Sequence, residues 1–220
     1  MFDSRLQSWM RPAMVRAGHT LAARGCTANG VSFAGFGVGM AAAVAIALSH
    51  PLLGLILLLL SRLLDGLDGA VARATRPTSR GAFLDITLDF LFYASIPLAF
   101  AVADPLANAL PAAVLLASFM GTGSSFLAFA IAAERQALST TAFPDKGFYF
   151  LGGLTEATET LVAFAAMCLW PQWFGEIAYV FAALCAITIV LRIRWGWVML
   201  APGAAPPAAP TPHRDDGSSP

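Results

Sequence analysis

The sequence has little charge for its length. Of its 220 residues, 12% are charged and 58% are hydrophobic, whereas soluble domains carry about 25% charged residues. The mean hydropathy is +0.71. Because so few charges cannot cover a hydrophobic core with a solvated surface, the composition argues against a soluble domain. It predicts an integral membrane protein.

Cysteines are also scarce, and the few present have no metal-binding pattern. Cys26, Cys168 and Cys185 lack CxxC spacing, so small apolar packing residues are expected rather than a disulfide framework or a metal knuckle. The N-terminal segment MFDSRLQSWMRPAMVRAG has no uninterrupted apolar core. A cleavable signal peptide is therefore not expected.

Long apolar segments dominate the rest of the chain. A helix that crosses the hydrocarbon core needs about 20 mostly apolar residues, and six segments meet this requirement. The sequence therefore predicts an all-α polytopic membrane protein with six transmembrane helices. The predicted spans are residues 30–48, 52–72, 82–103, 107–133, 150–170 and 174–192.

Two flanking regions differ from the six-helix domain predicted over residues 27–195. Residues 1–26 mix apolar residues with arginines, which suits a juxtamembrane amphipathic helix lying in the headgroup layer. An ordinary solvated arm is the alternative. Residues 196–220 are rich in Pro and Ala, a composition that predicts a disordered tail.

The basic residues are distributed unequally between the two sides of the membrane. All 13 Lys and Arg lie before span one, near the connections between spans two and three or four and five, or after span six. The opposite connections contain His50, Asp104 and Glu176 but no Lys or Arg. Because cytoplasmic loops carry the excess of basic residues, both termini are predicted to be cytoplasmic.

Four aspartates lie at the cytoplasmic ends of spans two and three. Asp65 and Asp68 are three residues apart and Asp85 and Asp89 four apart, so each pair shares a helix face. Burying each charge in the membrane costs about 2.5–3.5 kcal/mol. Two divalent cations would balance four carboxylates, and oxygen ligands suit Mg²⁺ or Mn²⁺. Two such ions can clamp a phosphoryl group during displacement. A salt network is the alternative, formed with Arg62, Arg73, Arg76 and Arg80.

The aspartates belong to a longer motif with fixed gaps, Asp65-x2-Asp68-Gly69-x2-Ala72-Arg73-x7-Gly81-x3-Asp85-x3-Asp89. This motif resembles the signature of the CDP-alcohol phosphotransferase (CDP-alcohol phosphatidyltransferase) family. The segment CTANGVS also looks like the Thr-Pro-Asn sequence that precedes span one in that family, with Ala28 in place of the proline. The resemblance covers about residues 20–195.

The resemblance implies a reaction and a set of functional residues. A lipid donor such as CDP-diacylglycerol would give its phosphatidyl group to the hydroxyl of a small polar alcohol and release CMP, in phospholipid biosynthesis. Asp89 would be the catalytic base, and all four aspartates would bind two Mg²⁺ or Mn²⁺ ions. The implied nucleotide-binding residues are Asn29, Asp68, Gly69, Ala72, Arg73 and Gly81.

The resemblance also implies partners and a location. A homodimer in contact with membrane lipids is expected, and no nucleic-acid partner. The protein would lie in the cytoplasmic or inner membrane, with its active site at the cytoplasmic face. A membrane cation transporter that uses the aspartates as its ion site is a rival from another class. Transporters commonly place their sites at the midplane between internal repeats, whereas these aspartates lie near one face of the membrane.

The acceptor is the least determined part of the prediction. In the family that the chain resembles, members that use phosphorylated acceptors often have Lys or Arg directly after the last aspartate of the motif. This chain has Phe90 at that position. Serine or another unphosphorylated alcohol is therefore favoured. The alternative is synthesis of phosphatidylglycerophosphate or phosphatidylinositol phosphate.

Two further groups of residues are candidates for acceptor binding. Lys146 and Arg135, together with Arg192, could hold an acceptor phosphate, or they could be ordinary cytoplasmic charges. Glu156 and Glu159 could contact the acceptor, or they could form hydrogen bonds with another span or subunit inside the membrane.

Overall fold

The computed structural model describes residues 2–135, 155 and 157–201, and the side chains of residues 2–11 are not described. Within these ranges the chain is helical and contains no strand. A short 3-10 turn, Pro171–Trp173, precedes the last helix. The helices are α1 (Phe2–Ala23), α2 (Ala28–Ala47), α3 (Pro51–Ala74), α4 (Ser79–Ala103), α5 (Pro105–Arg135), α6 (Ala157–Leu169) and α7 (Phe174–Met199).

Four of the described helical segments are long and apolar enough to cross a membrane. They are α2, α4, α5 and the segment Pro171–Met199 that includes α7. Large apolar side chains on their outer faces, such as Leu98 and Val190, are exposed. A lipid-facing surface explains this exposure, because such side chains need no protein cover in hydrocarbon. The prediction of an all-helical membrane protein with several apolar spans is confirmed.

Five of the predicted spans fall on α2, α3, α4, α5 and α7, and the described part of the span predicted at 150–170 contains α6. Helix α3 has 24 residues but carries Arg62, Asp65 and Asp68 in its second half. Helix α6 is described only from Ala157, and it has 13 residues. The count of six membrane crossings and the cytoplasmic orientation of both termini therefore stay predictions.

Local sequence signals set the ends of the helices that surround the aspartates. The side chain of Thr27 accepts a hydrogen bond from the Gly30 amide at 3.2 Å and caps α2. The side chain of Thr78 accepts one from the Gly81 amide at 3.0 Å and caps α4. Such caps satisfy backbone donors that the first helical turn leaves unpaired. The Thr78 cap places the start of α4 within a few residues of the end of α3.

Helix α2 packs between α3 and α4, and α1 packs against α3. Helix α5 contacts α4 and α7, and α6 contacts α3 and α7. Helix α2 thus lies next to both helices that carry the aspartates, and α4 also contacts α5. The centre of the bundle is filled by fully buried side chains that include Leu58, Phe92, Ile96, Phe164, Met167 and Phe174.

Gly39 allows α2 to approach both neighbouring helices. A Cβ atom at this position would lie 2.6 Å from Cδ2 of Phe92 and 2.8 Å from Oγ of Ser61. Phe92 is fully buried, and the Ser61 hydroxyl donates a 2.8 Å hydrogen bond to the Gly35 carbonyl. Neither group can move without disturbing another contact.

Gly39→Ala is therefore expected to destabilise the protein by about 1–3 kcal/mol, the usual effect of overpacking. Gly37→Ala on the same helix is the matched control, because a Cβ there meets nothing within 4 Å. Thermal unfolding in detergent, followed by tryptophan fluorescence, compares the two variants. Equal melting temperatures for Gly39→Ala and the wild type would contradict the packing argument.

Several predictions fall at the margins of the described structure. Residues 2–23 form the expected N-terminal helix, but its position in the headgroup layer stays a prediction. Lys146, Glu156 and most of the predicted tail lie outside the described residues. The domain limits of 27 and 195 also stay predictions, although α7 continues to Met199.

Candidate active site

Three of the four predicted metal ligands lie together. Asp65 and Asp68 lie one turn apart on α3, and Asp85 faces them from α4. One carboxylate oxygen from each residue lies within 4.8 Å of the other two. This arrangement gives three oxygen ligands at one point between the two helices.

The surroundings of Asp68 fit a bound cation. Asp68 is only 6% exposed, and its Oδ2 atom is buried without a hydrogen-bond partner. An unsatisfied buried acceptor is costly, and a charged one more so. A hard divalent ion such as Mg²⁺ or Mn²⁺ would satisfy this oxygen and neutralise part of the local charge. Asp65, Asp68 and Asp85 would hold such an ion.

A cavity of about 600 Å³ opens beside these aspartates. Its size is in the range of small-molecule sites. The Arg73 guanidinium lies over Gly69, where an added Cβ atom would be 3.2 Å from Nη1. All six residues predicted to bind the nucleotide line this one cavity, namely Asn29, Asp68, Gly69, Ala72, Arg73 and Gly81.

Asp89 is not a member of this group of three, but it shares a cation with Asp65. Its Oδ1 atom accepts a hydrogen bond from Nη1 of Arg62 at 2.6 Å, and the same nitrogen lies 3.5 Å from Oδ2 of Asp65. The salt network expected as an alternative to metal binding is therefore present in part. Among the described residues, no ion pair joins Arg73, Arg76 or Arg80 to an aspartate.

Asp89 also lines a second cavity, of about 700 Å³. This cavity lies among α4, α5, α6 and α7, and Arg192 of α7 contributes to its wall. Arg192 is 8% exposed, and its Nη1 atom donates hydrogen bonds to the Thr122 carbonyl at 2.7 Å and to Ser125 Oγ at 3.2 Å. Asp89 thus stands between the aspartate group and a cavity that contains a buried guanidinium.

Phe90 forms part of the wall of the second cavity. Its ring lies directly against Gly123 of α5, where a Cβ atom would overlap the ring. The residue that follows Asp89 therefore shapes the second cavity, as its position in the sequence suggested.

Of the remaining acceptor candidates, the structure describes Arg135 and Glu159, and it does not bring these two to the aspartates. Arg135 is the exposed last residue of α5. Glu159 is exposed and lines an outward-facing apolar groove between α6 and α7. Neither residue is among those that line the two cavities. Lys146 and Glu156 lie outside the described residues.

Two arginines have a larger part in the site than the sequence predicts, because Arg62 pairs with Asp89 and Arg192 lines the second cavity. The sequence suggests Arg192 as one of three cations that could hold an acceptor phosphate or be ordinary cytoplasmic charges, and Arg62 as one member of a possible salt network. The spacing did contain a signal for Arg62, because a residue three positions before Asp65 shares its helix face. Nothing in the spacing links Arg192 to Asp89, since helix packing alone brings the two residues to the wall of the same cavity.

The aspartate group, the adjoining cavity and the all-helical membrane fold define a class of protein. A family model described as CDP-alcohol phosphatidyltransferase matches residues 26–199. The chain belongs to the CDP-alcohol phosphatidyltransferase family, a family of membrane enzymes. The resemblance seen in the aspartate motif is thereby confirmed.

Two proteins from other organisms illustrate the sequence similarity of this chain to known proteins. The inner membrane protein YnjF of Escherichia coli K12 is 45% identical over 200 residues, which cover 91% of this chain and 97% of that protein. The archaetidylinositol phosphate synthase of Pyrococcus horikoshii is 39% identical over 94 residues, covering 42% of this chain and 50% of that protein. Together with the apolar helices, the first similarity supports an integral membrane protein.

Two crystal structures of the Mycobacterium tuberculosis phosphatidylinositol phosphate synthase PgsA1 share the fold. One has CDP-DAG bound, and the other is a complex with manganese and citrate. Both superpose with a TM-score of 0.63 at 22% sequence identity and cover 89% of this chain. They cover 98% and 93% of the respective solved chains.

Proposed function

We propose that this protein transfers a substituted phosphate group from a CDP-linked lipid to a hydroxyl of a small polar alcohol and releases CMP. The observation that carries the proposal is the group formed by Asp65, Asp68 and Asp85 at the edge of the 600 Å³ cavity. The CDP-DAG bound to the structurally similar synthase supports a CDP-diacylglycerol-like donor. Family membership favours this transferase over the cation transporter.

The first cavity is the proposed donor site. Arg73 can form charge-assisted hydrogen bonds with a phosphate of the donor, and the absence of a side chain at Gly69 leaves room for the nucleotide. A divalent cation held by Asp65, Asp68 and Asp85 would stabilise negative charge on the diphosphate and on departing CMP. Mg²⁺ or Mn²⁺ is proposed, and the manganese complex of the similar structure supports this choice.

Asp89 is the proposed general base. The acceptor hydroxyl transfers its proton to the Asp89 carboxylate as the hydroxyl oxygen attacks the phosphorus attached to the lipid. The bond from this phosphorus to the bridging oxygen breaks, and its electron pair leaves with CMP. Asp89 lines the second cavity, so an acceptor held there would present its hydroxyl at the boundary between the two cavities.

The acceptor proposal differs from the one that Phe90 favoured. The archaetidylinositol phosphate synthase and the phosphatidylinositol phosphate synthase among the relatives support the alternative of a phosphorylated acceptor. A buried cation, Arg192, lines the same cavity as Asp89 and can bind a phosphate. We therefore propose a phosphorylated polyol as the acceptor and place its phosphate near Arg192.

The test is release of CMP by the purified protein from CDP-diacylglycerol and Mg²⁺ or Mn²⁺, with candidate acceptors supplied one at a time. Inositol phosphate and glycerol phosphate are expected to support turnover better than inositol, glycerol or serine. If serine is the one acceptor that supports turnover, the acceptor is an unphosphorylated alcohol, as Phe90 suggests. If no acceptor leads to CMP release, the proposed reaction is wrong.

Arg192→Met is expected to raise the KM for the phosphorylated acceptor about tenfold or more, because a charge-assisted hydrogen bond contributes about 1.5–3 kcal/mol. The KM for the donor should not change. Arg194→Met is the matched control, since Arg194 lies on the same helix and is exposed. Equal acceptor KM values for both variants would remove Arg192 from the acceptor site.

We also propose six transmembrane helices, both termini in the cytoplasm and the active site at the cytoplasmic face. The distribution of Lys and Arg supports this orientation. The predicted interfacial placement of residues 1–26 and the homodimer belong to the same proposal. A cysteine-accessibility experiment with a cysteine introduced at Asp104 tests the orientation, because labelling by a membrane-impermeant reagent should occur from outside the cytoplasm.

A further inference from the structure

The proposed reaction gives no role to Phe90, although this residue follows the proposed base directly in the chain. Phe90 lies on α4 and lines the second cavity together with Asp89. It is 41% exposed, so its ring is not part of the packed core of the bundle. A partly exposed aromatic ring beside the base is placed to contact a molecule that enters this cavity.

Gly123 determines where the Phe90 ring lies. Gly123 is a buried residue of α5. A Cβ atom at this position would lie 2.7 Å from Cζ of Phe90 and would overlap Cε1 of the same ring. Any residue larger than glycine would therefore force the ring away from α5. Since a phenylalanine side chain in a helix has few allowed rotamers, the ring cannot avoid the added atom by a small rotation.

The turn of α5 that contains Gly123 also holds Arg192. Nη1 of Arg192 donates hydrogen bonds to the Thr122 carbonyl at 2.7 Å and to Ser125 Oγ at 3.2 Å. Its Cζ atom lies 5.6 Å from the ring centroid of Phe126. One short segment of α5 thus positions both the aromatic ring and the guanidinium that line the second cavity.

The charges around this cavity leave an uncharged role for Phe90. Among the described residues that line the cavity, Arg192 is the one basic residue and Asp89 the one acidic residue. In the proposed function, Arg192 binds the acceptor phosphate and Asp89 takes the proton of a hydroxyl. The remaining part of a polyol is its carbon skeleton, and an aromatic ring can cover C–H surface without competing for the phosphate.

We propose that Phe90 and Gly123 form a specificity-determining pair for the acceptor. The Phe90 ring is the wall against which the carbon skeleton of a phosphorylated polyol packs. Gly123 acts through Phe90, because the missing side chain lets the ring lie against α5 and leaves room beside Asp89. The pair therefore sets the size of the acceptor. The inference rests on the proposed function in taking a phosphorylated polyol as the ligand of the second cavity.

Gly121 provides a control for the packing of α5. It lies on the same helix, and a Cβ atom there would lie 2.5 Å from Cδ1 of Ile189. Gly121 lines neither cavity. Gly121→Ala and Gly123→Ala therefore add the same methyl group against a side chain, but only the second substitution moves a wall of the proposed acceptor site.

Calorimetric binding of inositol phosphate and of glycerol phosphate to the purified full chain in detergent tests the pair without any turnover. Gly123→Ala is expected to raise the Kd for inositol phosphate about tenfold or more, the effect of a small steric change in a fitted pocket. Gly121→Ala should leave this Kd nearly unchanged. The KM for the CDP-linked donor, measured by CMP release, should be the same in both variants.

Two further measurements use Phe90→Ala. In this background Gly123→Ala should have little additional effect on the Kd, because no ring remains for the new methyl group to displace. Such non-additivity is the signature of two residues in contact. Phe90→Ala alone should also reduce the difference between the Kd values for inositol phosphate and glycerol phosphate, since the wall that measures acceptor size is gone.

Four results would overturn the inference. The first is an equal loss of affinity in Gly121→Ala and Gly123→Ala, and the second is a strictly additive effect of Gly123→Ala and Phe90→Ala. The third is an unchanged ratio of the two Kd values in Phe90→Ala, a measurement that stands even if Gly123→Ala does not fold. The fourth is a wild type that binds neither polyol phosphate. Binding without CMP release would contradict the proposed reaction alone and leave the role of the pair intact.

Discussion

Asp89→Asn should reduce CMP release by about 10²–10⁴-fold, the range that a positioned base contributes. An asparagine has nearly the same shape as aspartate but cannot accept the proton of the acceptor hydroxyl. It can still fill the space beside Arg62, so the fold should be preserved. The expected result is therefore a loss of kcat without a large loss of stability.

Steady-state rates of CMP release, measured at saturating donor and acceptor, provide the test. Thermal unfolding of the same preparation shows whether the variant is folded. Glu134→Gln is the matched control, because it also neutralises an acid but lies exposed near the end of α5. Substantial turnover by folded Asp89→Asn protein would remove Asp89 from the role of base and leave the family motif without an assigned proton acceptor.

Removal of divalent ions should stop turnover completely. The buried Oδ2 atom of Asp68 has no hydrogen-bond partner, and the donor brings a diphosphate to the same place. Without a cation, these negative charges would repel one another in a poorly solvated site. Dialysis against EDTA is therefore expected to abolish CMP release, and added Mg²⁺ or Mn²⁺ should restore it.

EDTA that has been saturated with Mg²⁺ is the control, since it contains the chelator but removes no ion. The melting temperature gives a second measurement, because a ligand at 100 times its Kd stabilises the folded state by about 2.7 kcal/mol. Mn²⁺ should raise the melting temperature of the wild type more than that of Asp68→Asn. Full turnover by protein shown by elemental analysis to be free of divalent metal would exclude the proposed role of the ion.

The positions of the helices were largely predictable because a membrane limits the backbone to few solutions. Every backbone polar group in hydrocarbon must be paired, so an apolar segment of sufficient length has to be helical. The end of α7 was less predictable. The last span was predicted to stop at residue 192, yet the helix continues to Met199. Arg192 does not end it, because its guanidinium finds partners on α5.

The candidate site divides into a predictable and an unpredictable part. Asp65, Asp68 and Asp85 were expected to meet, because helical spacing and the short connection at Thr78 bring their faces together. Hydrogen bonds between distant elements are not encoded in spacing, and the pairing of Arg62 with Asp89 depends on how α3 meets α4. For the same reason, charge alone could not show that Arg192 lines the same cavity as Asp89 whereas Arg135 and Glu159 do not.

The two cavities are built from different parts of the chain. The first is lined by α1 to α4 and their connections, and the second by α4 to α7. Among the described helices, α4 is the one that lines both cavities, with Asp85 at the first and Asp89 at the second. If the first cavity binds the donor and the second the acceptor, as proposed, substitutions in α5 to α7 would change the preferred alcohol without altering the donor site. Such a division would let a family diversify its products while retaining one reaction centre.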